Sequence, residues 1–222
     1  MAAIILDRPS RPARMTATAH IAAADPVLGA FIATAGPLTR AEPEFSSPYP
    51  ALLSAVAHQQ MHARAALAML GRLKALSGDT LPAPAALLAL SDEALRGCGF
   101  SRAKVAAMRD IAAKAAEGLI PSRARALRLS DEELIRRFVT IRGVGQWTVE
   151  MVLIFTLRRP DVFPVGDFGV REGYRLVHGL EAQPKPKAFA AIGQAFAPHR
   201  STATHYLWKA ANLAKAGYVF AK

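Results

Sequence analysis

One cysteine, Cys98, occurs in 222 residues, so the chain can form neither an intramolecular disulfide, nor a four-cysteine zinc site, nor a four-cysteine iron–sulfur cluster. Such sparing use fits a reducing compartment. Long apolar runs are also missing, and no stretch nears the roughly 20 residues that a membrane-spanning helix needs. β-Branched runs are scarce and no segment alternates apolar with polar residues, which leaves little material for a sheet. Negative charge is in deficit: 17 Asp and Glu stand against 28 Lys and Arg, a formal net charge of +11. With 52% hydrophobic and 20% charged residues the chain has too much core material for a disordered basic tail, so it folds as one globular unit or two small ones. Basic proteins gain affinity for polyanions by releasing counterions. Solubility accounts for the same composition, so a partner has to be argued from a site.

Alanine and leucine dominate, and helix-spaced apolar positions recur between Ser, Asp, Gly and Pro, the pattern of an all-α protein. Residues 1–18, with Arg8, Arg11 and Arg14, read as a flexible basic tail; Ala2 to Leu6 is too short for a secretory apolar region, and an Arg-rich transit segment is the other reading. Ser47 and Pro48 open a first long core helix that carries Val56, Gln60, Ala63, Leu67 and Leu70 on one face. Ser91 caps a short helix through Leu95, and Ser101 caps the next, with Val105, Met108, Ile111 and Ala115 inward and Gly118 at its end. Ser130 and Glu133 form a capping box ahead of the buried stripe Leu134, Ile135, Phe138 and Ile141. A helix from Gln146 to Leu157 follows, and Arg159 to Gly166, with two prolines and a glycine, is an extended connection. Helices resume at Phe168–Leu176, Lys187–Phe196 and Ser201–Ala216.

Chemistry concentrates in two places. In Ile141-Arg142-Gly143-Val144-Gly145-Gln146-Trp147-Thr148 two glycines allow a tight reversal between helices, exposing backbone amides beside the positive end of the second helix. That suits a phosphate, and it equally describes an ordinary turn between helices. Downstream, Phe163-Pro164-Val165-Gly166-Asp167-Phe168 sets an aspartate where a new helix begins, the usual place for an N-cap.

Taken in order, the hairpin, the Val-Phe-Pro-Val-Gly-Asp segment, the His58-Gln59-Gln60 run and the Gly99-Phe100-Ser101-Arg102-Ala103-Lys104 turn resemble the helix-hairpin-helix DNA glycosylases, specifically the 3-methyladenine DNA glycosylase II group, over roughly residues 40 to 215. The resemblance implies two interleaved helical subdomains with the active site in the cleft between them. Residues 46–160 form a central subdomain holding the helix-hairpin-helix (130–157), and 19–45 join 161–222 in a second. Only about 40 residues precede the first matched segment, so the compact form without an added amino-terminal β-rich domain is expected.

The resemblance makes Asp167 the catalytic carboxylate, stabilising positive charge on deoxyribose as the N-glycosidic bond breaks, and orienting or deprotonating the attacking water. Strand-cutting relatives carry a nucleophilic lysine where this chain has Trp147, so lyase activity is not expected. Trp147, Met151, His199 and Phe168 are the base-pocket candidates. Trp147 can stack on a cationic base, or simply pack in the core. Met151 and His199 replace aromatic residues found in other members, which favours cationic 3-methyladenine and 7-methylguanine over bulky or neutral lesions. Gln60 stands at the position of the side chain that fills the gap left by a flipped base, with His62 near the minor groove; a satisfied polar turn is the alternative. Amides of Gly143, Gly145 and Thr148, with Arg142, Arg102 and Lys104, are the phosphate contacts. Carbonyls of Val139, Ile141 and Val144 can hold Na+ or K+; no other cofactor and no iron–sulfur cluster is expected.

The expected partner is duplex DNA carrying alkylated bases, bound by a monomer with no membrane attachment. The expected location is the cytoplasm beside the nucleoid in a bacterium, or the nucleus in a eukaryote. Rival readings are a damage-binding protein without turnover, a glycosylase/lyase, and a small-molecule enzyme using Asp167.

Overall fold

Side-chain caps begin most of the helices. In the computed structural model, which describes residues 15–39 and 42–220, Thr16, Asp25, Ser91, Ser101, Ser122, Ser130 and Asp167 each accept a hydrogen bond from the amide three residues on, satisfying a donor the helix start leaves open. Thirteen α-helices follow one another without a strand among the described residues: α1 (Ala17–Ala24), α2 (Pro26–Ala35), α3 (Pro48–His58), α4 (Ala63–Ala75), α5 (Pro84–Ala89), α6 (Asp92–Gly97), α7 (Arg102–Ala116), α8 (Arg123–Ala126), α9 (Asp131–Phe138), α10 (Gln146–Met151), α11 (Phe168–Val177), α12 (Pro186–Gln194) and α13 (Arg200–Lys215). A π-helical turn, Val152–Thr156, continues α10. The tail reading of residues 1–14 lies outside the described residues, and Ala17 and Thr18, assigned to that tail, start α1.

Two apolar cores organise these helices. One gathers Leu52, Leu53, Leu73, Met108, Ile111, Phe138 and Leu153 from the stretch between Ala51 and Val162. The other joins Ile21, Leu28 and Phe31 to Phe163, Phe189, Phe196 and Leu207. Fully burying each such side chain is worth about 1.5–3 kcal/mol, so both cores are strong enough to fix the helices around them. The chain crosses from one core to the other between adjacent residues, Val162 and Phe163, and Trp208 packs against both. The crossing is strapped to α13: Val162 N–H donates to Ser201 Oγ at 3.0 Å, Thr204 Oγ1 donates to Val162 O at 3.2 Å, and Arg200 pairs with Asp161 at 2.8 Å. Gly173 lets α11 and α13 touch, since a Cβ there would lie 1.9 Å from Leu207 O.

The expected long core helix is two helices. α3 stops at His58, Gln60 takes a left-handed φ of +55°, and α4 restarts at Ala63. The interruption is held from a distance, because Lys104 Nζ donates to Ala57 O at 2.7 Å and Gln59 Nε2 donates to Gly143 O at 2.8 Å. The restart rotates Leu67, placed on the buried face by its spacing, into solvent at 55% exposure. Half of the capping box forms: Ser130 Oγ accepts from Glu133 N–H, but the Glu133 carboxylate pairs with Arg136 and Arg137 instead of reaching back.

Candidate active site

The turn between α9 and α10 is shaped by Gly143, whose φ of +75° and 3.2 Å approach to Ala107 Cβ leave no easy room for a side chain. Val144 N–H donates to Ile141 O at 3.0 Å, closing the reversal, and Asp110 on α7 accepts the Arg142 N–H at 2.7 Å. Burial raises the Asp110 pKa, but its bonds to Lys114 and to the Arg142 amide outweigh that and bring it below its ordinary value. Gly145 caps α10 without a side chain, and open space surrounds the position a Cβ would take. Among the described residues no backbone carbonyl accepts from the Gly143 or Gly145 amide, so these donors face outward. The Thr148 side chain is buried at 3% exposure, its Oγ1 3.5 Å from Gln59 Nε2.

Asp167 lies four residues past the crossing between the cores and is 8% exposed. Its Oδ1 accepts from Val170 N–H at 2.8 Å, which caps α11, and from Trp208 Nε1 at 2.9 Å. Its Oδ2 accepts from Trp147 Nε1 at 2.7 Å. The chain has two tryptophans, and both indoles donate to this one carboxylate. Gly169 permits the close fit, because a Cβ there would sit 3.1 Å from Trp208 Cδ1 and 3.2 Å from Asp167 Oδ1.

Two hollows meet at these aromatics. A cleft of about 830 Å3 is lined by Trp147, Met151, Phe155, His58, Gln60 and Lys104 among others. A second hollow of about 550 Å3 is lined by Trp208, His205, Lys209 and again Phe155. Phe155 is half exposed and stacks on Trp208, with ring centroids 5.4 Å apart and planes 21° from parallel. It owes this position to the π-turn, which replaces the continuous helix expected through Leu157 and re-aims one side chain toward the cleft. Asp167 lines neither hollow. It sits behind the two indoles, one of which, Trp147, is itself 48% exposed.

Of the base-pocket candidates, Trp147 and Met151 line the larger cleft. Phe168 is 67% exposed and lines neither hollow. His199, the N-cap of α13, lines neither hollow, and its ring lies against His20 with centroids 5.3 Å apart. Lys104 reaches the cleft, its ammonium donating one hydrogen bond to Ala57 O, and burial lowers its pKa. Arg102 and Arg142 are exposed. Gln60 and His62 are exposed in the turn between α3 and α4, and between them Met61, absent from the sequence-based candidates, shows 43% of its surface. Trp208 and Phe155 were equally absent. The rarity of tryptophan was the one available signal for Trp208; nothing local announces the π-turn that aims Phe155.

Among known proteins, residues 53–198 match the family described as the HhH-GPD superfamily base excision DNA repair protein. The chain is 43% identical to the DNA-3-methyladenine glycosylase 1 of Schizosaccharomyces pombe over 172 residues, 77% of this chain and 75% of that protein. It is 28% identical over 200 residues to the alkylbase DNA glycosidase-like protein mag2 of the same organism, covering 89% and 94% of the two chains. Its fold superposes on the S. pombe 3-methyladenine DNA glycosylase in complex with abasic DNA with a TM-score of 0.78 at 39% identity, covering 87% of this chain and 95% of that one. For the DNA-3-methyladenine glycosidase of Bacillus halodurans the TM-score is 0.83 at 33% identity, covering 92% and 93%.

Proposed function

The chain belongs to the HhH-GPD superfamily of base excision DNA repair proteins, and we propose that it is a monofunctional DNA glycosylase that hydrolyses the N-glycosidic bond of alkylated purines in duplex DNA. The observation that carries this reading is Asp167, a buried carboxylate held between two indole N–H groups beside an aromatic cleft. Its three donors all address oxygen lone pairs, so the group acts at this site as an acceptor and a fixed negative charge. As the bond to an alkylated base stretches, positive charge develops on deoxyribose, and a pre-positioned carboxylate in a water-poor site stabilises it without having to reorganise. The base leaves with the bonding electron pair, neutralising its own positive charge, and water adds to the sugar carbon. Such a leaving group needs little acid assistance.

Trp147, half exposed at the cleft, offers its face to a cationic base. The turn Gln59–His62 is suited to fill the gap left in the duplex: it projects beside the cleft, and Met61 gives it an apolar, flexible tip to offset lost stacking. Gln59 ties this turn to Gly143 and Thr148, coupling the side chains that enter the duplex to the amides proposed to hold a flanking phosphate. A monovalent cation fits the same turn: Ile141 O keeps one lone pair beside its bond from Val144, and no backbone N–H among the described residues donates to Val139 or Val144 O. Trp147 supplies no amine for a covalent step, so the product is an abasic site on an uncut strand.

Incubating the protein with methylated duplex DNA tests the proposal: free 3-methyladenine appears, the strand stays intact, and borohydride traps no covalent complex. Tight binding to the same DNA with no base released would identify a damage-binding protein instead.

A further inference from the structure

Several side chains at the cleft wall already donate to the protein itself. Lys104 Nζ donates to Ala57 O, Gln59 Nε2 to Gly143 O, and Trp147 Nε1 to Asp167. His58, the last residue of α3, is held in a way that leaves the opposite function free. Its Nδ1 lies 2.9 Å from the Ser54 carbonyl oxygen, one turn back on the same helix. A carbonyl only accepts, so Nδ1 carries the ring proton, and in the neutral ring Nε2 is left as a lone-pair acceptor. The two ring nitrogens point to opposite sides, so anchoring Nδ1 to α3 turns Nε2 away from that helix. Among the described residues no group hydrogen-bonds to Nε2, while the half-buried ring lines the cleft that also holds Trp147 and Met151.

An acceptor fixed in tautomer by its own helix distinguishes purines by one group. Adenine carries an amine donor at position 6 and guanine a carbonyl acceptor at the same place. We infer that His58 is a specificity-determining residue whose Nε2 accepts from the exocyclic amine of an alkylated adenine and sets two acceptors against each other when the base is an alkylated guanine. The inference rests on the glycosylase reading and narrows it to a preference for 6-amino over 6-oxo purines. Glu44, whose carboxylate is a second acceptor lining the cleft, adds to the preference for a base that presents donors and positive charge.

The test uses the full chain on methylated duplex DNA that contains 3-methyladenine and 7-methylguanine together, each release rate divided by that lesion's own spontaneous loss. The wild type favours 3-methyladenine. His58→Asn keeps an amide donor for Ser54 O and removes the Nε2 acceptor, and it lowers the preference about tenfold, the effect of one hydrogen bond, by slowing 3-methyladenine release while 7-methylguanine release does not fall. An unchanged ratio, or an equal fall in both rates, overturns the inference and leaves His58 a structural residue. A measurement on the wild type alone does not depend on the variant folding. Duplexes carrying 3-deaza-3-methyladenine, or the same base without its amine, are bound in competition, with the amine expected to tighten binding about tenfold; equal binding overturns the assignment. Release of neither base by the wild type would instead sink the glycosylase reading on which the inference stands.

Discussion

Two helix starts in this molecule, α10 and α11, face the same electrostatic problem and solve it in opposite ways. Both present unpaired amides and the positive end of a helix dipole. At α10 the cap is Gly145, with no side chain and open space around it, so the negative partner has to come from outside. At α11 the cap is Asp167, whose carboxylate supplies the negative charge internally and is then enclosed by two indoles. On the proposed function the first arrangement serves binding and the second reaction, so that their difference would separate holding DNA from cutting a bond in it.

Asp167→Asn should break the contrast most severely. Asparagine still caps a helix, but its amide faces the Trp147 N–H and the fixed charge is gone, so base release in a single turnover falls about 100- to 1,000-fold while duplex binding is retained. Trp208→Phe keeps the ring that stacks on Phe155 and removes one of the two indole donors; release falls about tenfold, with DNA affinity unchanged. At the other helix start, Gly145→Ala changes stability by less than about 1 kcal/mol, because its backbone is not left-handed and nothing crowds the Cβ. It should weaken DNA binding about tenfold by obstructing the amides. Gly143→Ala separates fold from function there, costing about 1–2 kcal/mol in chemical denaturation for its left-handed backbone.

The smallest effect belongs to Glu150 on α10. Burial, opposed by its bond from Gln146 and reinforced by the Asp167 charge, raises its pKa. In the window between the unfolded pKa, about 4.3, and the higher folded one, the folded protein therefore holds a proton that the unfolded chain has lost. Stability contributed by that group falls as pH rises through the folded pKa. Glu150→Gln removes the titration, so its gain in melting temperature over the wild type is larger at pH 7 than at pH 4; a gain independent of pH would contradict the coupling.

The capping residues were readable in the sequence because capping is local: Ser91, Ser101, Ser130 and Asp167 each bond an amide three residues away. The resemblance that pointed to Asp167 as reactive likewise rested on short motifs in order along the chain. What local patterns missed depends on distant partners. The break after His58 has no glycine or proline to announce it, and is held by Lys104 and by the Gly143 carbonyl, residues brought near only by the fold. Trp208 becomes the second clamp on Asp167 where Gly169 and Gly173 let α11 and α13 approach, a contact no local pattern announces. His199 shows the same dependence on distant partners, since its place in a motif did not determine that its ring would meet His20 and line neither hollow.

The most direct test sets the two helix starts side by side: single-turnover base release by Gly145→Ala and by Asp167→Asn as protein concentration is raised to saturation. A binding device and a reactive one predict different outcomes, with Gly145→Ala recovering the wild-type rate at saturation and Asp167→Asn staying slow at every concentration. Recovery by Asp167→Asn, or a persistent defect in Gly145→Ala, would contradict the division of labour between them.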